Sequence, residues 1–155
     1  MTIAAIIVAA GRGTRAGSAQ PKQWHPLMGQ RVIDWTISAF LHHPDIHQIC
    51  VVLHPDDIDT ANLKDVIITT GGATRDAYVK NGLGALAPYA PDHVLIHDGA
   101  RATISGAVIS DVIAALATHD AAAPALPVTD ALWTGAQGVV TGTRDRTGLY
   151  RAQTP

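Results

Sequence analysis

The feature that most restricts how this chain can fold is its alternation of short apolar runs with amphipathic segments. The runs at 3–8, 48–53, 66–69 and 94–97 are of strand length and rich in Val and Ile. Between them, 31–42 sets Ile33, Ile37, Phe40 and Leu41 on one face at helical spacing, and 75–86 does the same with Val79, Leu83 and Leu86. A short helix is expected over 56–63. Ser105 reads as the N-cap of a further helix whose apolar face is Ile109, Val112, Ile113 and Leu116. The segment 121–128 reads as one more strand. Strands that are apolar throughout belong to a sheet covered on both faces. The expected class is therefore α/β, with a mostly parallel sheet and helices on each side.

Right-handed crossovers bring the carboxyl ends of such strands to one edge, where open α/β sheets bind ligands. Three loops of unusual composition leave strand ends there, at 9–22, 71–75 and 97–101. Past Pro127 the pattern changes, and the spaced glycines around Val139-Val140 suit a hairpin arm over 129–148. Residues from Leu149 onward read as the start of a further strand. With 155 residues and no internal repeat or linker, a single domain over 1–155 is expected.

Composition narrows the function. Eleven basic against 13 acidic residues give a net charge of −2 without any basic block, so no nucleic-acid surface is expected. The apolar run at 3–10 is far short of the roughly 20 residues that span a bilayer. It also lacks the cationic lead of a signal peptide, so it is a core strand and no membrane partner is expected. The single Cys50 can form no internal disulfide and suits a reducing cytoplasm. Its place in Ile49-Cys50-Val51-Val52-Leu53 marks buried filler rather than a nucleophile. The eight histidines show no zinc spacing, and no metal held by protein side chains is expected.

The richest stretch chemically is Ala9-Ala10-Gly11-Arg12-Gly13-Thr14-Arg15, followed by Pro21-Lys22-Gln23. Gly11 and Gly13 let backbone N–H groups approach an anion, while Arg12, Arg15 and Lys22 add three cations. Such a set suits a triphosphate, whose equatorial oxygens gain charge on attack at phosphorus. A solvated glycine turn with surface cations has the same spacing. It is not a Walker loop, and the third glycine of the dinucleotide fingerprint is missing. His97-Asp98-Gly99-Ala100-Arg101 follows an apolar strand. Asp98 there suits a sugar hydroxyl or a magnesium ion and Arg101 a phosphate, though a capped turn with an exposed Arg reads as well. Gly71-Gly72-Ala73-Thr74-Arg75 allows a flat base to approach, but fits a plain helix start better. Arg144-Asp145-Arg146 is either a surface ion-pair cluster or a phosphate clamp delivered by the arm, and the residues alone favour the former.

Taken together, 9–15, Pro21-Lys22-Gln23, Gly71-Gly72 with Arg75, 97–101, Pro127-Val128 with Asp130, Asp145-Arg146-Thr147-Gly148-Leu149 and Gln153-Thr154-Pro155 resemble the 2-C-methyl-D-erythritol 4-phosphate cytidylyltransferases, in family order over the whole chain. The resemblance implies a Rossmann-like nucleotidyltransferase fold. It implies transfer of CMP from CTP to 2-C-methyl-D-erythritol 4-phosphate, with magnesium carried mainly by the CTP phosphates. Arg15 and Lys22 would stabilise charge at the α-phosphate. Ala9, Ala10, Gly11, Arg12, Gly13, Gly71, Gly72 and Ala73 would line the CTP pocket. Asp98, Arg101 and Thr154 would face the acceptor. Arg146, on an arm exchanged across a homodimer, would hold the acceptor phosphate in the partner's site.

The chain departs from the family at Tyr78, where Ser is usual, at Ala102, where Pro is usual, and at Ala131, where a substrate-contacting Thr is usual. The family's C-terminal portion, with a positioning lysine, is not matched. The resemblance thus implies the front part of a longer protein, similar to those fused to a cyclodiphosphate synthase. Two other readings are a cytidylyltransferase for another polyol phosphate and a weakened, dimerising remnant.

Overall fold

The computed structural model describes residues 1–12 and 20–154. Along them run β1 (Ile3–Ala9), a small hairpin of β2 (Pro26–Leu27) and β3 (Gln30–Arg31), α1 (Val32–Leu41), β4 (Ile46–Leu53), α2 (Ile58–Ala61), β5 (Ile67–Thr70), α3 (Arg75–Leu86), β6 (His93–Asp98), α4 (Gly106–Ala115), β7 (Ala125–Pro127), β8 (Leu132–Ala136), β9 (Val139–Arg144) and β10 (Tyr150–Ala152). Four of the strands form a parallel sheet in the order β5-β4-β1-β6.

All seven residues of β1 are buried, because successive side chains enter different cores. Ile3, Ala5, Ile7 and Ala9 pack with Ile33, Ile37 and Phe40 of α1 and with Ile109, Val112 and Ile113 of α4. Ala4, Ile6 and Val8 turn the other way, toward Tyr78, Val79 and Leu86 of α3. Helices thus cover both faces, as the unbroken apolar runs imply. Cys50 is fully buried in β4, where burial pushes its thiol up to about 11. It is strand filler.

Helix starts follow their local signals. Ser105 accepts from the Val108 amide and opens α4, and Thr74 accepts from Ala77 and opens α3. At α1, Asp34 accepts from the Arg31 amide at 3.0 Å and from its guanidinium at 2.7 and 2.8 Å.

Three expectations need correcting. Leu41, read into the apolar face of α1, is exposed at the helix end, and Thr36 is buried on that face instead. Leu83 is 45% exposed, and the face of α3 that meets the sheet is completed by Gly82. A Cβ at Gly82 would sit 2.9 Å from Ile6 Cγ2, so the helix rests on β1 through a missing side chain. The expected strand over 121–128 shrinks to the exposed β7, which pairs with β10 outside the main sheet. Pro124 precedes it and Pro127 ends it, neither with an amide donor.

Beyond β7 the chain forms the β8–β9 hairpin, closed at Gln137 and Gly138 with φ of +51° and +80°. That pair of left-handed residues makes the tight turn matching strand twist. The hairpin leaves Trp133, Val139 and Val140 exposed.

Candidate active site

The segments after the carboxyl ends of β1 and β6 and the first turn of α3 meet at one cleft of about 480 Å³. Ala9, Gly11 and Lys22 line it from the first loop, Arg75 and Tyr78 from α3, and Asp98, Ala100 and Arg101 from the 97–101 loop. Among the described residues, three cations face one carboxylate there. The cleft therefore carries an excess positive charge on a chain of net charge −2, which favours a polyanionic ligand.

Lys22 opens a short 3-10 turn, Lys22–Trp24, whose amides at Trp24 and His25 bond back to the Pro21 and Lys22 carbonyls at 3.0 and 3.2 Å. The next residue, Gln23, is buried. Its amide donates to the Ala9 carbonyl at 2.7 Å and the Gly11 carbonyl at 3.1 Å. The first of these carbonyls ends β1 and the second lies just beyond it, where the sheet ladder has stopped. Gln23, itself on the cleft wall, thus anchors the turn that carries Lys22.

Asp98 ends β6 and accepts from Arg75 Nη2 at 2.8 Å and from Arg101 Nε at 3.1 Å. Burial raises its carboxyl, but the two guanidinium groups overcome that and hold it below the ordinary carboxylate range. The anion is thus spoken for, and it orients both arginines. Arg101 is held at four atoms, since its Nη1 also donates to Gln153 Oε1 at 2.7 Å, its amide donates to the Asp98 carbonyl at 3.0 Å and its carbonyl meets His97 Nε2 at 3.1 Å.

His97 is fully buried against Phe40, with ring centroids 5.0 Å apart. Burial pulls its pKa down, so the ring is neutral at pH 7. A carbonyl only accepts, so Nε2 carries the proton, and Nδ1 accepts from the Thr154 hydroxyl at 3.3 Å. From the other side, Thr36 of α1 donates to the Gly99 carbonyl at 3.0 Å. The 98–101 loop is pinned from both directions.

The other expected site residues fall in different places. Arg15 and Gly13 lie outside the described residues. Ala10 is buried behind Gly71, where a Cβ would meet it at 2.8 Å and the Tyr78 ring at 2.7 Å. Gly72 has Ala77 where its own Cβ would be, and Ala73 is exposed beside it. Arg12 turns from the cleft to Asp56 and Asp57 at 2.8 and 2.9 Å, since those carboxylates sit beside it on the loop after β4. Thr154 lines a neighbouring hollow with Gln153 and Leu126, on the far side of Arg101. Arg146 is exposed at the foot of the hairpin and donates to the Thr129 carbonyl of its own chain. Sequence reasoning gave no individual role to Gln23, Arg75 or His97, and met Tyr78 only as a departure from the family beside the expected base pocket. For Gln23 and His97 the partners are backbone carbonyls, which leave no mark in a sequence.

Among the described residues, no group of three or more His, Cys or Asp side chains is placed to hold a metal ion. No helix there is long and apolar enough to cross a membrane.

Comparison with known proteins gives the arrangement its relatives. The IspD family of 2-C-methyl-D-erythritol 4-phosphate cytidylyltransferases matches residues 3–155. Over its full length the chain is 54% identical to a bifunctional enzyme IspD/IspF of Ruegeria pomeroyi, of which it spans 42%. It is 55% identical to a 2-C-methyl-D-erythritol 4-phosphate cytidylyltransferase of Roseobacter denitrificans, again from end to end, and spans 71% of that protein. The crystal structure of the Thermus thermophilus 2-C-methyl-D-erythritol 4-phosphate cytidylyltransferase superposes with a TM-score of 0.77 at 31% identity, covering 100% of this chain and 69% of that one. Sequence and fold agree from end to end: the chain belongs to the 2-C-methyl-D-erythritol 4-phosphate cytidylyltransferase family.

Proposed function

We propose that this chain carries the CTP-binding part of a cytidylyltransferase that transfers CMP to 2-C-methyl-D-erythritol 4-phosphate in non-mevalonate isoprenoid synthesis. The observation that carries the reading is the cleft itself, with Lys22, Arg75 and Arg101 around Asp98 at the carboxyl edge of the sheet. A phosphate oxygen of the acceptor attacks the α-phosphorus of CTP, the bond to the β-phosphate oxygen breaks, and pyrophosphate leaves with the electron pair. Lys22, with Arg15, neutralises charge that grows on the α-phosphate oxygens. Arg101, steadied by Asp98 and Gln153, faces the acceptor phosphate. No protein nucleophile is required, and positioning plus charge stabilisation supply the acceleration.

Magnesium fits as a companion of the triphosphate. The one carboxylate of the cleft among the described residues is engaged by two guanidinium groups, so the ion would be carried by CTP phosphate oxygens and supply further charge neutralisation. The β8–β9 hairpin, with Trp133, Val139 and Val140 exposed, suits exchange across a homodimer. Arg146 at its foot would then serve the partner's cleft, and Thr154 would support the acceptor side through His97. A reducing cytoplasm suits the lone buried Cys50.

The test is pyrophosphate release from CTP with a panel of polyol phosphates. Release with 2-C-methyl-D-erythritol 4-phosphate and none with ribitol phosphate is expected. The opposite pattern would overturn the acceptor assignment.

A further inference from the structure

We propose that Asp57 is a positioning residue that holds Lys22 in the cleft from outside it. Asp57 stands immediately before α2, in the N-cap position, yet its carboxylate makes no cap hydrogen bond to that helix. Both oxygens instead turn to the first loop. Oδ1 accepts from Arg12 Nη1 at 2.9 Å, and Oδ2 accepts from the Trp24 indole at 3.1 Å. A buried carboxylate is costly unless it is paired and hydrogen-bonded. Asp57 ends the 3-10 turn that leads into α2, with helical φ and ψ of −98° and −11°, so its carboxylate is not committed to a cap and reaches two residues distant in the chain.

The consequence falls on Lys22. Of the three residues of its turn, Lys22 lines the cleft, Gln23 bolts the turn to the end of β1, and Trp24 bolts it to Asp57. Gln23 alone would leave the turn free to pivot about the β1 carbonyls. The indole bond removes that freedom, and Arg31, stacked 5.3 Å from the Trp24 ring, holds the ring in place. Arg12 completes the clasp, with its second nitrogen on Asp56 at 2.8 Å and against His54 at 2.5 Å. This explains why Arg12 is spent away from the cleft. It balances the buried charge that fixes the turn.

The positional claim stands on these contacts. Only its kinetic consequence rests on the proposed role of Lys22. Two variants of the whole chain test it, Asp57→Asn and Trp24→Phe, the second keeping the ring and removing just the donor. Amide hydrogen exchange at positions 24 and 25 reports the turn directly and needs no nucleotide. Both variants are expected to speed exchange there roughly tenfold, the size of one lost hydrogen bond, while amides of β1 and β4 keep their rates. Unchanged exchange at 24 and 25, or an equal rise everywhere, overturns the proposal. In pyrophosphate release, Asp57→Asn should lower kcat about as far as a misplaced cation demands, leave KM for CTP within about twofold, and add no further loss on a Lys22→Ala background. Additive losses would break the link to Lys22. A wild-type chain without turnover would sink the functional reading, and the exchange result would still decide the role of Asp57.

Discussion

Residue by residue, the site is held by polar groups whose partners lie far away in the chain. His97 is the clearest case, because its burial has a thermodynamic signature. Its folded pKa is depressed below the ordinary 6.5. Between the two values the unfolded chain binds more protons, so stability rises with pH across that window. The contribution is complete above about 6.5 and is lost as pH falls through the folded value. In His97→Gln, whose amide keeps a donor and an acceptor, the fall in Tm between about pH 7.5 and pH 5 should be smaller than in the wild type. Equal falls would mean that His97 is not held neutral. Of the cations expected at the sheet edge from 9–22 and 97–101, Lys22 and Arg101 line the cleft, whereas Arg12 turns to Asp56 and Asp57. Gln23 and Asp57 were not legible in the sequence. A side chain bonded to carbonyls or to an indole elsewhere in the chain has no local pattern to betray it.

At the level of elements, apolar periodicity gave the right helices and strands but the wrong contact on α3. Pattern reading scores Leu83 as core and Gly82 as nothing. The structure inverts this, because an absent side chain lets the helix approach Ile6. The same helix carries Gly84, with nothing within 4 Å of a Cβ built there. The two positions should therefore respond in opposite directions. Gly84→Ala should stabilise by up to about 1 kcal/mol through helix propensity. Gly82→Val should cost about 1–3 kcal/mol through overpacking. Urea unfolding with unchanged m-values would measure both, and a stabilised Gly82→Val would refute the close packing of α3 on β1. β1 was easy to read because both its faces are buried. The strand sought at 121–128 was overcalled: Pro124 and Pro127 stand in the sequence as strand breakers, and exposure, visible only in context, leaves just Ala125–Pro127 paired.

For the molecule as a whole, the parallel sheet does one thing that no single loop achieves: it brings Lys22, Asp98 and Arg101, each from a weak local motif, to one edge. Overall charge is slightly negative, yet the cleft is cationic, so selectivity for a polyanion arises from placement rather than from composition. The chain spans 42% of its bifunctional relative and 71% of the shorter one. The cleft described here is formed within the shared part. The most direct test is a titration of the isotopically labelled chain with CTP and magnesium, followed by NMR. Saturable shifts at Gly11, Lys22, Gly99 and Arg101, lost in Lys22→Ala, are expected. Shifts centred on another surface, or none from a folded chain, would contradict a nucleotide site at this edge of the sheet.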